Sequence, residues 1–165
     1  MTAKEIQAKI IKEYLKPRLK TFGYLNSGQN WWKDNGEFFT IIQLQNFSWN
    51  SKEKVDFCFN IGISIKVVEK NLQKPSAQNM TVQTRENLYL PTERIENKYH
   101  NKTGYTLSNE DDETKFLNEI VIDFENHILP ELEKIKSIPD CVEKFGDITF
   151  FGDYLKKVLY ENNII

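Results

Sequence analysis

The side chains with the clearest catalytic potential in this 165-residue chain are its two cysteines and two histidines. A thiolate beside an imidazole can act as a nucleophile, so a Cys58–His100 pair, with Asp56 close to Cys58 in sequence, is one candidate set. No histidine lies near Cys58 in sequence, however, and Cys58 alternates within an apolar run. We therefore interpret Cys58 as a buried free thiol that serves packing.

Metal and phosphate chemistry have less support than thiol chemistry. His127 follows Asp123 by four residues on a predicted helix, but the HExxH spacing of zinc sites is absent. We interpret His127 as a helix-surface residue paired with that acid. Neither GxGxxG nor GxxxxGK[ST] occurs in the sequence. The sequence thus predicts no catalytic residue set, no metal site and no cofactor.

A hairpin signal determines how two adjacent tryptophans are placed. The pair Asn35-Gly36 predicts a two-residue type I′ turn, because both of its central positions need positive φ. That register sets Trp32 opposite Phe39 and Trp31 opposite Thr40. Since directly opposed residues share a face of the sheet, the two tryptophans point to opposite sides.

The face on the Trp32 side combines aromatic and amide side chains. Its members are Trp32, Phe39, Gln43, Gln45, Cys58 and Asn60. On one interpretation the C-terminal helices cover this face and bury its aromatic residues. On the other it forms a groove in which Trp32 stacks on a ligand or partner while Gln43, Gln45 and Asn60 form hydrogen bonds with it. The candidate binding residues are therefore Trp32, Gln43, Gln45 and Asn60.

The elements that carry these residues form an ordered series. A capping box at Thr2–Glu5 begins an amphipathic helix that closes at Gly23. Strands follow, the clearest of which alternates strictly between residues 55 and 65, with weaker ones near 82–89 and 105–107 and a loop over 70–81. Helical spacing then returns over 116–128, 140–145 and 150–160. This grouping predicts one α+β domain over residues 1–165. It has an N-terminal helix, an antiparallel sheet of about four to five strands built from hairpins, and C-terminal helices packed on the sheet.

Charge and composition exclude several classes of function. The net charge is −2, with 22 basic and 24 acidic residues, and only three of the basic residues are arginine. A nucleic-acid surface would carry a basic excess rich in arginine, so we expect no nucleic-acid partner. No apolar run is long enough to span a membrane, and the charged N-terminus lacks a signal-peptide core. We expect a cytoplasmic protein without a membrane partner.

Several short motifs match a known bacterial family. The segment "LKPRLKTFGY" ends in Gly23-Tyr24, the second hairpin strand carries Gln45 late, and the third contains Asn60-Ile61-Gly62. Together with the later Leu129-Pro130 step, these residues resemble the domain of unknown function 4304 family. The resemblance implies no particular activity, because that family has none assigned.

Taken together, these features favour a non-enzymatic module that binds a protein or ligand, of the immunity or adaptor type. The partner we expect is another protein. The alternative is an enzyme of unrecognised class that acts on a small polar metabolite in a cleft on the sheet.

Overall fold

A computed structural model describes residues 1–69 and 71–165, and it has the predicted α+β class. The helices are α1 Ala3–Ile10, α2 Lys16–Thr21, α3 Thr92–Ile95, α4 Glu113–Asp123, α5 Leu129–Glu133, α6 Ile138–Phe145 and α7 Phe151–Glu161. The strands are β1 Leu25–Ser27, β2 Asn30–Asp34, β3 Phe38–Asn46, β4 Lys54–Ile65, β5 Val82–Arg85, β6 His100–Asn101 and β7 Gly104–Ser108. Two 3₁₀ turns lie at Ala77–Asn79 and Glu86–Leu88.

The sheet is larger than the sequence predicts. Its strands run in the order β1-β2-β3-β4-β7-β6, and β5 also pairs with β4. The additional strands β1 and β6 have three and two residues, which is too short for an alternating pattern to be recognised. The predicted loop over 70–81 contains the turn Ala77–Asn79, and its first residue, Lys70, lies outside the described residues.

The chain divides into two compact units. The first unit comprises Met1–Gly23, Leu44–Phe59 and Arg85–Glu131, and the second comprises Tyr24–Gln43, Asn60–Thr84 and Leu132–Ile165. Strands β3 and β4 each contribute residues to both units. The single domain over residues 1–165 stays a prediction.

The hairpin register of the second unit differs from the predicted one. Asp34 pairs with Phe39 and Trp32 with Ile41, a shift of two residues. Only Gly36 of the expected turn has positive φ, at +95°, and its N–H donates to Asp34 Oδ1 at 2.8 Å, so the turn is not type I′. A shift by an even number keeps each residue on its face. The opposite orientation of the two tryptophans is therefore unchanged.

Aromatic packing joins β4 to helix α4 and to the π-helical turn Phe124–Ile128 that follows it, within the first unit. The ring of Phe57 lies 6.2 Å from that of Phe116, and Phe59 lies 4.9 Å from Phe124, both edge to face. These odd-numbered residues of β4 form its strongly apolar face, as the alternation predicts. In the second unit Trp31 is fully buried, which agrees with its expected role in the core.

Each of two prolines follows a π-helical turn. The turn Ile11–Leu15 precedes Pro17, and the turn Phe124–Ile128 precedes Pro130. Proline lacks an N–H and its ring clashes with the carbonyl four residues earlier, so a wider turn accommodates it within a continuing helix. In the part of the chain that the structure describes, no helix has the length and apolar character needed to cross a membrane.

Candidate functional site

The four predicted binding residues are divided between the two units. Trp32, Gln43 and Asn60 belong to the second unit, and Gln45 belongs to the first. Asn60 is 2% exposed and Trp32 is 6% exposed, whereas Gln43 is half-buried.

Amide side chains in the second unit form a row across four strands, which we call the amide row: Asn30, Gln43, Asn60 and Gln83. Asn60 on β4 donates through Nδ2 to Gln43 Oε1 on β3 at 3.1 Å. It accepts at Oδ1 from Gln83 Nε2 on β5 at 3.2 Å. Asn30 on β2 lies directly opposite Gln43 and so shares its face. Asn60 is thus held from both sides at the centre of the row.

One end of the amide row has unused hydrogen-bonding capacity. Asn30 Oδ1 is buried, and it has no hydrogen-bond partner among residues 1–69 and 71–165. Gln43 is bonded through its Oε1, which leaves the two N–H groups of its Nε2 without a partner in the same residues. A donor and an acceptor therefore lie side by side on neighbouring strands. Buried acceptors are nearly always satisfied, so the unpaired Asn30 oxygen is one of the few exceptions among the described residues.

A small apolar cluster adjoins the amide row on the same face. Trp32 packs with Phe39 and Ile41, and the half-buried Met80 covers them. Lys66 places its ammonium 4.7 Å from the Phe39 ring centroid. Because so little of Trp32 is exposed, its direct stacking on a ligand stays a prediction. Its observed role is to support the strands that carry Asn30 and Gln43.

Gly62 allows β5 to approach β4 closely beside the amide row. A Cβ atom at this position would lie 1.9 Å from the carbonyl oxygen of Val82 and 2.9 Å from Met80 Sδ. Only glycine fits against a backbone atom at that distance. The Asn60-Ile61-Gly62 step thus combines the central amide of the row with the residue that brings Gln83 within reach of it.

Gln45 and Cys58 meet in the first unit. The Cys58 thiol donates to Gln45 Oε1 at 3.8 Å, and burial, reinforced by the charge of Glu86, raises the pKa of the thiol to about 11. A nucleophilic cysteine needs the opposite shift, toward the thiolate. This environment is that of a packing residue.

His100 belongs to a buried polar network rather than to a pair with Cys58. Its Nδ1 donates to the Ile95 carbonyl at 2.9 Å, and its Nε2 lies 3.2 Å from Glu86 Oε1. The second carboxylate oxygen of Glu86 accepts from the Phe59 N–H at 3.1 Å. Although burial lowers the pKa of His100, the hydrogen bonds to Glu86 and Ile95 and the nearby negative charges raise it overall. Both ring nitrogens face acceptors, so the geometry favours the imidazolium.

A second buried carboxylate, Asp123, extends this network. Asp123 accepts from Arg94 Nε and from Tyr105 Oη, both at 2.7 Å, rather than from His127 as the i,i+4 spacing suggests. Arg94 also forms an ion pair with Glu119 at 2.6 Å. Burial raises the pKa of Asp123, and the hydrogen bonds from Arg94 and Tyr105 oppose that shift.

The network residues Glu86, Arg94 and Asp123 were not identified as functional candidates from the sequence. Their partners lie 14 to 29 positions away, and no short motif marks such pairs. In the described ranges, no three His, Cys, Asp or Glu side chains are grouped so that they could hold a metal ion.

Asp56, the third residue of the alternative catalytic set, is also in the first unit. Its Oδ2 accepts from Trp49 Nε1 at 2.6 Å, and its backbone N–H and C=O bond with the Asn50 side chain at 2.8 and 2.9 Å. These contacts hold the loop between β3 and β4. None of them joins Asp56 to Cys58 or His100.

Comparison with known proteins identifies a family but no characterised relative. Neither the curated proteins nor the solved structures contain a match to this chain. A family model described as Domain of unknown function (DUF4304) matches residues 15–134, which includes the amide row, the His100 network and helix α4. Because that match covers most of the chain, the protein belongs to the DUF4304 family.

Proposed function

We propose that this protein is a non-enzymatic binding module, of the immunity or adaptor type, whose amide row takes up an extended segment of a partner protein. The observation that carries the proposal is the unused donor and acceptor at one end of the row. One extended residue of a polypeptide presents its own N–H and C=O on the same side. Gln43 Nε2 would donate to that C=O. Asn30 Oδ1, which is buried in the unbound protein, would accept from that N–H once its side chain turns toward the bound segment.

The surroundings of the amide row support a peptide ligand. Asn60 positions Gln43, so the donor needs little reorganisation when a partner arrives. The apolar cluster beside the row, with Trp32 and Phe39 at its centre, would lie under a neighbouring side chain of the bound segment. Gln45, in the first unit, remains a candidate binding residue from the sequence.

The chemistry of the alternative catalytic residues favours binding over catalysis. A pKa of about 11 keeps the Cys58 thiol protonated at neutral pH. Both nitrogens of His100 are already engaged by Ile95 and Glu86, so neither is available as a general base. A cytoplasmic location belongs to the same proposal and is supported by the two cysteines, Cys58 and Cys141, which are free thiols. Cell fractionation would test the location.

The proposal is tested by selecting peptides and then removing the two row atoms. A random-peptide phage library is selected on the immobilised full chain, and the affinities of enriched peptides are measured by fluorescence anisotropy. We expect Gln43→Ala and Asn30→Ala each to weaken binding by about 2- to 10-fold, the effect of one hydrogen bond. Gln29→Ala, which alters an exposed glutamine next to Asn30, is the matched control and should bind as the wild type does.

Thermal unfolding of each variant separates a lost contact from a lost fold. Folded Gln43→Ala and Asn30→Ala variants that bind the peptides with wild-type affinity would contradict the proposal. A library from which the wild-type chain enriches no peptide would contradict it as well.

A further inference from the structure

The first unit contains a pocket of about 410 Å³ beside helix α1 and the loop between β3 and β4. Its volume is within the range of natural small-molecule sites. The pocket is lined by residues that include Lys4, Gln7, Asn46, Phe47, Ser48 and Val55. They provide one ammonium group, two amides, one hydroxyl and an apolar wall.

Hydrogen bonds fix the polar wall of this pocket. Gln7 is 6% exposed, and its Nε2 donates to Asn46 Oδ1 at 2.7 Å. Asn50 donates to the same Asn46 oxygen at 3.4 Å while its side chain is bonded to the Asp56 backbone. The loop also caps α1 through the carbonyl of Lys52, which accepts from the first helical N–H at 2.9 Å. The site is therefore formed before any ligand binds, which lowers the entropic cost of binding.

Four polar groups of the wall have no partner within the described ranges. Because Asn46 uses only its oxygen, both N–H groups of its Nδ2 are available as donors. Gln7 uses only its nitrogen, so its Oε1 is available as an acceptor. The Ser48 hydroxyl forms no hydrogen bond and the Lys4 ammonium forms no ion pair with residues 1–69 or 71–165. Three donors and one acceptor thus line one small volume.

The one charged side chain among the described lining residues favours an anion, because Lys4 supplies an ammonium group. The adjoining residues 52–56 are balanced in charge, since Lys52 and Lys54 accompany Glu53 and Asp56. Glu5 is engaged in the capping box at the start of α1, and Asp56 Oδ2 accepts from Trp49.

We propose that this pocket binds a small carboxylate that carries a hydroxyl on the adjacent carbon. The carboxylate would accept from Lys4, Asn46 and Ser48, and the hydroxyl would donate to Gln7 Oε1. The aliphatic part would lie against Val55 and the ring of Phe47. This site lies within the first unit and does not depend on the amide row of the second.

The test is a titration of the full chain, which is monitored with ¹H–¹⁵N correlation spectra. The probes are L-lactate, propanoate, which lacks the hydroxyl, and inorganic phosphate. L-lactate should shift the Gln7 and Asn46 side-chain amides saturably, and propanoate should bind about 2- to 10-fold more weakly for want of one hydrogen bond. The Lys4→Gln variant should weaken lactate binding at least as much, whereas Lys12→Gln, an exposed lysine in the next turns of the same helical segment, should not.

Three results would overturn the proposal. They are the absence of a saturable shift with lactate, equal lactate affinity in the Lys4→Gln variant, and phosphate binding as tight as lactate binding. Equal affinities for lactate and propanoate would show that the hydroxyl is not recognised. They would therefore contradict the role of Gln7 Oε1 as its acceptor. Peptide binding at the amide row would be unaffected by each of these outcomes.

Discussion

Removing the Asp123 carboxylate should destabilise the protein strongly. Asp123 is 1% exposed and accepts two hydrogen bonds of 2.7 Å, from Arg94 and from the buried Tyr105 hydroxyl. In Asp123→Ala the hydroxyl would lose its acceptor. Arg94, 17% exposed, would keep Glu119 as its one remaining side-chain partner among residues 1–69 and 71–165. Removing one member of a buried charged pair typically costs about 3–5 kcal/mol of unfolding free energy. For a chain of this size that corresponds to a Tm lower by roughly 6–20 °C.

The assay is urea unfolding followed by tryptophan fluorescence, with two matched variants. Asp123→Asn preserves the shape and one acceptor, so it should lose about 1.5–3 kcal/mol, the value of a charge-assisted hydrogen bond. Asp147→Ala removes an exposed aspartate and should stay within about 0.5 kcal/mol of the wild type. If Asp123→Ala loses less than about 1 kcal/mol, the carboxylate does not hold Arg94 and Tyr105 together as described.

Three further predictions concern single residues. Gly62→Ala would force a methyl group to within 1.9 Å of the Val82 carbonyl oxygen, so we expect the free energy of unfolding to fall by about 1–3 kcal/mol. An unchanged stability in chemical unfolding would refute that close approach. Trp32→Ala should lower the free energy of unfolding by about 3–5 kcal/mol, because the indole is buried in its cluster. A variant that keeps its stability but binds the enriched peptides poorly would instead show that Trp32 contacts the ligand directly. The folded-state pKa of His100 lies above its ordinary value of 6.5, so the stabilisation from its proton is complete below pH 6.5 and is lost as the pH rises through the folded-state pKa. Unfolding free energies should therefore fall from pH 6 to pH 8 more steeply in the wild type than in His100→Gln, and equal slopes would contradict the pairing of His100 with Glu86.

Local patterns predicted the faces of the sheet better than its register. From the alternation in β4 and the Asn35-Gly36 pair, Trp31 and Trp32 are predicted to lie on opposite faces of the sheet, and the observed pairing agrees. The exact pairing was wrong by two residues, because the chain turns at Gly36-Glu37 and not at Asn35-Gly36: the Asn35 N–H donates to the Phe38 carbonyl at 2.9 Å. The faces were preserved since side chains alternate with a period of two.

The amide row could be predicted only in part. Gln43 and Asn60 were recognised because they share a face of two neighbouring strands, and the structure joins them directly. The predicted register also puts Asn30 on this face, but opposite Ile41, so its position beside Gln43 became evident only from the observed pairing. Gln83 was missed because β5 is short and reaches Asn60 from outside the hairpin.

The buried network of the first unit could not be predicted from local sequence. Glu86 follows a four-residue strand and His100 begins a two-residue strand, so neither has a periodic context. Asp123 lies four residues before His127, and this spacing pointed to the wrong partner. Pairs such as Arg94 with Asp123 depend on tertiary contacts, which a single sequence does not display.

The most direct test of the proposed function is an NMR titration of the chain with a peptide enriched from the library. The side-chain N–H₂ resonances of Gln43 are followed, with those of the exposed Gln29 as an internal reference. A peptide bound at the amide row should shift the Gln43 resonances saturably, with a dissociation constant equal to that from anisotropy, and leave Gln29 unchanged. Saturable binding of the peptide with no change at Gln43 would show that the amide row is not the binding site.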